Sequence, residues 1–342
     1  MNIAVLGLPQ SGKSTFLKSL LSLSDNDTLP EYCNIKVEDN RLKQVGELLG
    51  HDKLTYPEIS FTELDILTLN SKNTELKGID SLQKSYGILL VIKCFEIENY
   101  SIITSDINQI ITELIVSDTI IIENIIERRL KSSKGKTKQE IEVVNTEIEL
   151  LNSLKNHLEN GSALNSYIFK EGELKKLTGY NLITLKPIFV VLNSDTELIE
   201  NESNENLTDY SSNFLYPSKI EMELSELTEI ESNEFRESLN IDANLKYNLI
   251  KALFEGMGKI IFITAGDQEI RAWEIEKGDT ALISASKIHS DISNGFIRAE
   301  VIEFDTFLKL GSWNECKKEG KVKGNGKEYV VNDGDIINFL HS

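Results

Sequence analysis

Residues 2–21 read "NIAVLGLPQSGKSTFLKSLL". The first five are apolar and rich in branched side chains, which predicts a buried strand. After the loop, Phe16, Leu17, Leu20 and Leu21 recur at helical spacing, which predicts an amphipathic helix. Between them lies the pattern G-x-x-x-x-G-K-[ST], carried by Gly7, Gly12, Lys13 and Ser14. A loop of this kind offers backbone N–H groups and a helix N-terminus to phosphate oxygens. Lys13 is placed to neutralise the outer phosphates, and the Ser14 hydroxyl is suited to Mg²⁺. Gln10, Ser11 and Thr15 complete the phosphate-binding set, so the stretch predicts a nucleoside triphosphate site.

The surrounding pattern is that of an open α/β sheet. "EISFTELDIL" (58–67) alternates as a strand does, while "YGILLVIKCF" (86–95) and "KPIFVVLNSD" (186–195) are continuous apolar runs suited to parallel strands buried on both faces. Helices between such strands imply right-handed crossovers. From about Ile110 the period changes. "IITELIVSDTIIIENIIERRLK" and "KQEIEVVNTEIELLNSLKNHLEN" flank "SSKGK", and Ile141, Val144, Ile148, Leu151, Leu154 and Leu158 form a stripe. This predicts an antiparallel helical hairpin, residues 110–161, inserted into a nucleotide-binding domain of residues 1–109 and 162–258. From Lys259 to the end, short strands and turns predict a separate, mostly β module.

The chain has 342 residues, with 40% hydrophobic and 27% charged, the composition of a globular protein of two or three domains. No apolar run approaches the roughly 20 residues of a membrane span, and no cleavable leader is visible, so a cytoplasmic protein without a membrane partner is expected. A net charge of −19 argues against broad charge-driven binding to DNA or RNA, although a local basic patch remains compatible with it. Cys33, Cys94 and Cys316 are widely spaced and form no CxxC pair, so they read as small buried hydrophobes. The four histidines are scattered. His289 reads as a turn cap.

The opening "NIAVLGLPQSGKSTFLKSLL" resembles the start of the YchF family, the Obg-like ATPases among P-loop proteins. The C-terminal "FITAGDQEIRAWEIEKGDTALISASKIHSDISNGFIRAEVIEFDTFL" and "GKEYVVNDGDIINF" resemble that family's terminal module more strongly, and "VIKCFE" and "LNSD" fall in the family's order. The resemblance implies an α/β P-loop G domain, a helical insertion and a ubiquitin-like β-grasp (TGS-like) domain. It also implies ATP in preference to GTP, Mg²⁺, and a ribosome or other translation-related partner.

The same resemblance assigns the remaining site residues. Asp65 takes the place of the Mg²⁺-organising aspartate of D-x-x-G, with Thr68 where glycine belongs and Leu69 where the family has its apolar residue. Asn34 stands at the threonine of the first switch, as a metal ligand beside Ser14 and Asp65. Lys13, Asp65 and Leu69 form the catalytic set. Asn193 in "NSDT", with Ser218, Lys219 and Ile220 in "PSKIEMEL", forms the base pocket; Thr196 stands where the family carries glutamate, and Glu197 follows one position late. Thr68 lacks the close approach that glycine allows. An amide at Asn34 can still ligate Mg²⁺. Three readings therefore stay open at the sequence level: a slow Mg²⁺-dependent ATPase, a hydrolysis-deficient nucleotide-responsive binding protein, and a GTPase with relaxed base choice.

Overall fold

The structure is a computed structural model that describes residues 1–64, 78–96, 101–132, 137–195, 213–266 and 269–342. In chain order the strands are β1 (Asn2–Leu6), β2 (Cys33–Lys36), β3 (Leu54–Thr55), β4 (Glu58–Glu63), β5 (Gly87–Cys94), β6 (Ile188–Ser194), β7 (Asn213–Tyr216), β8 (Lys259–Ala265), β9 (Ile270–Glu276), β10 (Phe296–Ile302), β11 (Lys323–Asn325) and β12 (Ile336–His341). The first nine α-helices are α1 (Lys13–Leu21), α2 (Asn40–Leu49), α3 (Ile79–Lys84), α4 (Ser101–Ser132), α5 (Lys138–Glu159), α6 (Glu173–Leu177), α7 (Ser218–Leu224), α8 (Glu229–Ser238) and α9 (Leu245–Gly256). Helix α10 (Ala281–Ile288) follows β9. Contacts divide the chain into two compact units, residues 1–34 with 60–243, and residues 35–59 with 244–342.

The first unit is built on a sheet of order β2-β4-β1-β5-β6-β7. Strand β1 runs parallel to both β4 and β5, and β6 runs parallel to β5 and β7. Strands β5 and β6 are buried almost throughout, as their unbroken apolar sequences require. The chain leaves β1 in one direction toward β4 and in the other toward β5, so the strand order reverses beside the phosphate loop. Ligands of open α/β sheets bind at such a switch point, outside the carboxyl ends of the strands.

The two long helices are present as a hairpin, and α4 starts at Ser101, nine residues ahead of the change in period seen in the sequence. The α5 stripe is buried at Val144, Leu151, Leu154 and Leu158, the three leucines in one core cluster with Ile107, Ile111, Leu114 and Ile122 of α4. Burying one such side chain stabilises the fold by roughly 1.5–3 kcal/mol. Helix α5 begins with a capping box in which Thr137 and Glu140 bond each other's backbone N–H groups. The buried carboxylate of Asp118 fixes α4 to the segment ahead of β6: it accepts from the N–H groups of Ile183 and Thr184 at 2.7 Å each and from the Thr184 hydroxyl at 2.6 Å. Lys186, two residues on, donates to the carbonyls of Leu82 and Gln83 at the end of α3.

The second unit has a sheet of order β11-β10-β12-β8-β9-β3. Strands β8 and β9 form an antiparallel hairpin, β12 joins β8 in parallel, and β10 pairs antiparallel with β12. Helix α10 packs Ala281 and Ala285 on this sheet, against Phe262, Ile275, Val301 and Phe339. A hairpin, a helix and two further strands in this order make the ubiquitin-like β-grasp arrangement. Trp273 donates to the Thr264 hydroxyl at 2.9 Å and carries the Arg271 guanidinium 4.1 Å above its ring. The His289 ring accepts from the Asp291 N–H, so it caps the short helix that follows.

The three cysteines are buried and unbridged. Burial pushes each thiol up, that of Cys94 to about 11, so none is poised as a thiolate near neutral pH.

Candidate functional site

Strand β1 ends at Leu6, and the loop turns at once into α1. Gly7 is required by space: a Cβ there would stand 2.4 Å from the Ser11 hydroxyl and 2.5 Å from the Val91 carbonyl. Gly12 is required by both space and backbone. Its φ is +86°, and a Cβ would meet the Asn193 amide nitrogen at 2.1 Å. Gln10 also has positive φ, at 65°, and is exposed, while Ser11 is buried. The result is a tight loop whose N–H groups gather at the start of α1, where the helix dipole favours an anion.

Lys13 is buried at 8% exposure, and its ammonium donates to the Gly7 carbonyl at 3.0 Å. The cation is therefore held over the loop by a neutral acceptor. A phosphate oxygen offers a charge-assisted bond in exchange, about twice as strong as a neutral one. Ser14 stands exposed at the first turn of α1 and donates to the Glu63 carboxylate, 3.0 Å from each oxygen. Glu63 is the last residue of β4 and faces Val5 of β1 in the parallel register, which delivers its side chain beside the loop.

The other wall comes from β6. Asn193 is buried and uses both ends of its amide: nitrogen donates to the Ser11 carbonyl at 3.0 Å, and oxygen accepts from the Ser218 N–H at 3.3 Å. One side chain thus ties the phosphate loop to the start of α7. Two hydroxyls at the ends of this tie, those of Ser11 and Ser218, are buried with no hydrogen-bond partner among the described residues. Buried polar groups are nearly always bonded, so two orphans beside one loop mark a place for a polar ligand or water. Phe95 borders the same corner, 3.9 Å from the Gly12 Cβ position, with the Lys93 ammonium 4.7 Å from its ring centre.

The structure therefore brings together Ser11, Gly12, Lys13, Ser14, Asn193 and Ser218. Thr15 is half-buried on α1; Lys219 is exposed and Ile220 half-buried on the first turn of α7. Asn34 occupies an exposed position of β2, whose burial alternates. Asp65, Thr68, Leu69, Thr196 and Glu197 lie outside the described residues. Glu63, Lys93 and Phe95 are additions that motif spacing did not single out. For Glu63 a signal existed: in "ISFTE" Ile59 and Phe61 point inward, and Glu63 places a carboxylate in the same phase. No group of three or more His, Cys, Asp or Glu able to hold a metal occurs among the described residues.

A strand, phosphate loop and helix at the head of a parallel sheet, with Lys13 and Ser14 closing the loop, define an α/β protein of the P-loop class. Residues 260–342 match the YchF-GTPase C-terminal family model, described as "Protein of unknown function (DUF933)". The chain is 32% identical over 364 residues to "Ribosome-binding ATPase YchF" of Bacillus subtilis, covering 99% of this chain and 98% of that protein. It is 31% identical over 358 residues to the protein of the same name from Buchnera aphidicola subsp. Schizaphis graminum, covering 98% of each. The chain belongs to the YchF family. Among solved structures, that of the Schizosaccharomyces pombe YchF GTPase superposes with a TM-score of 0.84 over 99% of this chain and 97% of that one, at 22% identity, and so shares the fold. Among the described residues no helix is long and apolar enough to cross a membrane.

Proposed function

We propose that the protein binds ATP with Mg²⁺ at the phosphate loop, hydrolyses it slowly, and couples that cycle to the ribosome in the cytoplasm. The observation that carries the nucleotide site is the juxtaposition of Lys13, Ser14 and Glu63 around the N-terminus of α1. The names of the full-length relatives support ATP and the ribosome as ligands.

The donor set suits Mg²⁺, a hard cation that takes oxygen ligands and keeps several waters. Ser14 would hold it directly and Glu63 would hold it through the serine and water, with Asp65 as a further carboxylate. Bound there, Mg²⁺ supplies charge neutralisation between the outer phosphates. Lys13 turns from the Gly7 carbonyl to the phosphate oxygens, and the loop N–H groups fix the chain of phosphates. Asn193 holds the loop against α7, so the base wall and the phosphate wall keep their spacing. Ser218, Lys219 and Ile220 line the base side.

A second reading, binding with little turnover, is favoured by one observation: Asn34 sits on the exposed side of β2. Turnover of ATP and GTP by the purified protein, beside a Lys13→Ala control, separates the two. ATP turnover lost in the control supports the enzyme. Tight ATP binding with no turnover supports the binding protein, and turnover unchanged in the control overturns the site. Tighter GTP than ATP binding in calorimetry overturns the choice of base.

A further inference from the structure

Helix α8, Glu229–Ser238, has no buried residue. Ser232 and Arg236, one turn apart, are its half-buried positions, and they mark the side that faces the protein. Its hold is specific: Arg236 makes a bidentate pair with the buried Glu221 of α7, at 2.5 and 2.9 Å. Thr228 and Glu231 close its N-terminus with a capping box. A helix of ten residues is marginal on its own in water, so the cap and this clasp keep it helical while the rest of its surface faces outward.

That outward surface is unusual in content. Ile230 is 73% exposed and Phe235 53% exposed. At about 100° per residue they lie roughly 120° and 100° from Arg236, on opposite flanks of the helix. Glu231 and Glu234 lie between them. The stretch 221–239 carries seven glutamates and one basic residue, Arg236, which Glu221 already occupies. Two large apolar side chains flanking the carboxylates of Glu231 and Glu234, neither of which forms an ion pair among the described residues, match a partner that presents cations around apolar pockets. Nucleic acid does not fit, because its phosphates would face the carboxylates.

We propose that the outer face of α8 docks a basic protein surface of the ribosome, with Ile230 and Phe235 as anchors and Glu231 and Glu234 as charge partners. The inference rests on the ribosome-coupled reading above and names the surface that meets the ribosome. Helix α7, to which α8 is clasped, opens at Ser218 on the base side of the nucleotide site, so the docking helix and that wall share one rigid connection.

The test uses the full chain with purified bacterial ribosomes and a non-hydrolysable ATP analogue, in co-sedimentation at graded salt. Ile230→Ser/Phe235→Ser and Glu234→Lys alter exposed positions and leave the Thr228–Glu231 cap intact, so circular dichroism and nucleotide affinity should match the parent chain. Each of these variants should weaken ribosome binding roughly tenfold, the scale of losing interface anchors. A photo-crosslinking amino acid placed at position 230 should attach to ribosomal protein. Parent and variants binding ribosomes equally overturns the α8 assignment and leaves the ribosome reading intact, and so does a crosslink recovered on ribosomal RNA. A parent chain that does not sediment with ribosomes overturns the ribosome reading itself, and the docking assignment with it.

Discussion

The Ser14 hydroxyl stands 3.0 Å from each oxygen of the Glu63 carboxylate. The contact joins the first turn of α1 to the end of β4 across 49 positions of sequence, and it exists because β1 and β4 pair in parallel with Val5 opposite Glu63. A carboxylate behind a metal-binding hydroxyl orients it and raises its affinity for the ion.

Glu63→Gln keeps the size of the side chain and removes its charge. Nucleotide affinity in Mg²⁺ should fall by at least roughly tenfold, while affinity in EDTA should change little. Titration calorimetry under the two conditions measures the difference. Equal losses with and without Mg²⁺ would remove Glu63 from the metal site.

Asn193 ties the loop to α7 with both ends of its amide, so its removal acts on every nucleotide alike. Asn193→Ala strands the Ser11 carbonyl and the Ser218 N–H and should cost about 1–3 kcal/mol of stability. ATP and GTP should lose affinity in parallel. A change in their ratio would instead identify Asn193 as a reader of the base.

Gly12→Ala meets a left-handed backbone and the Asn193 amide together. The backbone alone costs about 1–2 kcal/mol, and the displaced Asn193 adds to it. Thermal unfolding should shift downward and phosphate affinity should be lost. Gly50 also has positive φ but has nothing near its Cβ, so Gly50→Ala should show the backbone cost with nucleotide binding intact.

Burial lowers the Lys186 ammonium from 10.5 to about 8, partly offset by Asp118, while the carbonyls of Leu82 and Gln83 accept its protons. The unfolded chain therefore holds this proton more tightly than the folded one. Between about pH 8 and 10.5 the unfolded state binds more protons, so this group makes stability rise with pH in that window. Below pH 8 its cost is fully present. Denaturant titrations of Lys186→Met across the window should lose this upward contribution relative to the parent chain, and an unchanged slope would contradict it.

Local features of the sequence predicted the local features of the fold. The phosphate loop motif spans eight residues, with glycines at its first and sixth places and Lys13-Ser14 at its end, and the hairpin repeats one stripe over several turns, so each carries its own signal. Glu63 was harder because motif spacing directs attention to Asp65, whereas a contact with Ser14 depends on which residue of β4 faces Val5. That register is set by the burial of Ile59 and Phe61, a preference distributed along the strand. The family resemblance assigns Asn193 to the base pocket, whereas its double tie depends on three segments meeting in space. The grouping of residues 35–59 with the C-terminal unit had no local signature, since it rests on pairing with residues far along the chain.

Strand β3 pairs in parallel with β9, Leu54 opposite Ile270, and the Thr55 hydroxyl bonds Glu269, 214 positions later. During synthesis this early segment emerges long before the strand it needs. It must wait, with its polar edge in water, until β9, which ends at Glu276, has followed it out of the exit tunnel. The second unit therefore closes as a late event in the life of the nascent chain, and a truncation ahead of β9 would leave residues 35–59 without a partner at both β3 and α2.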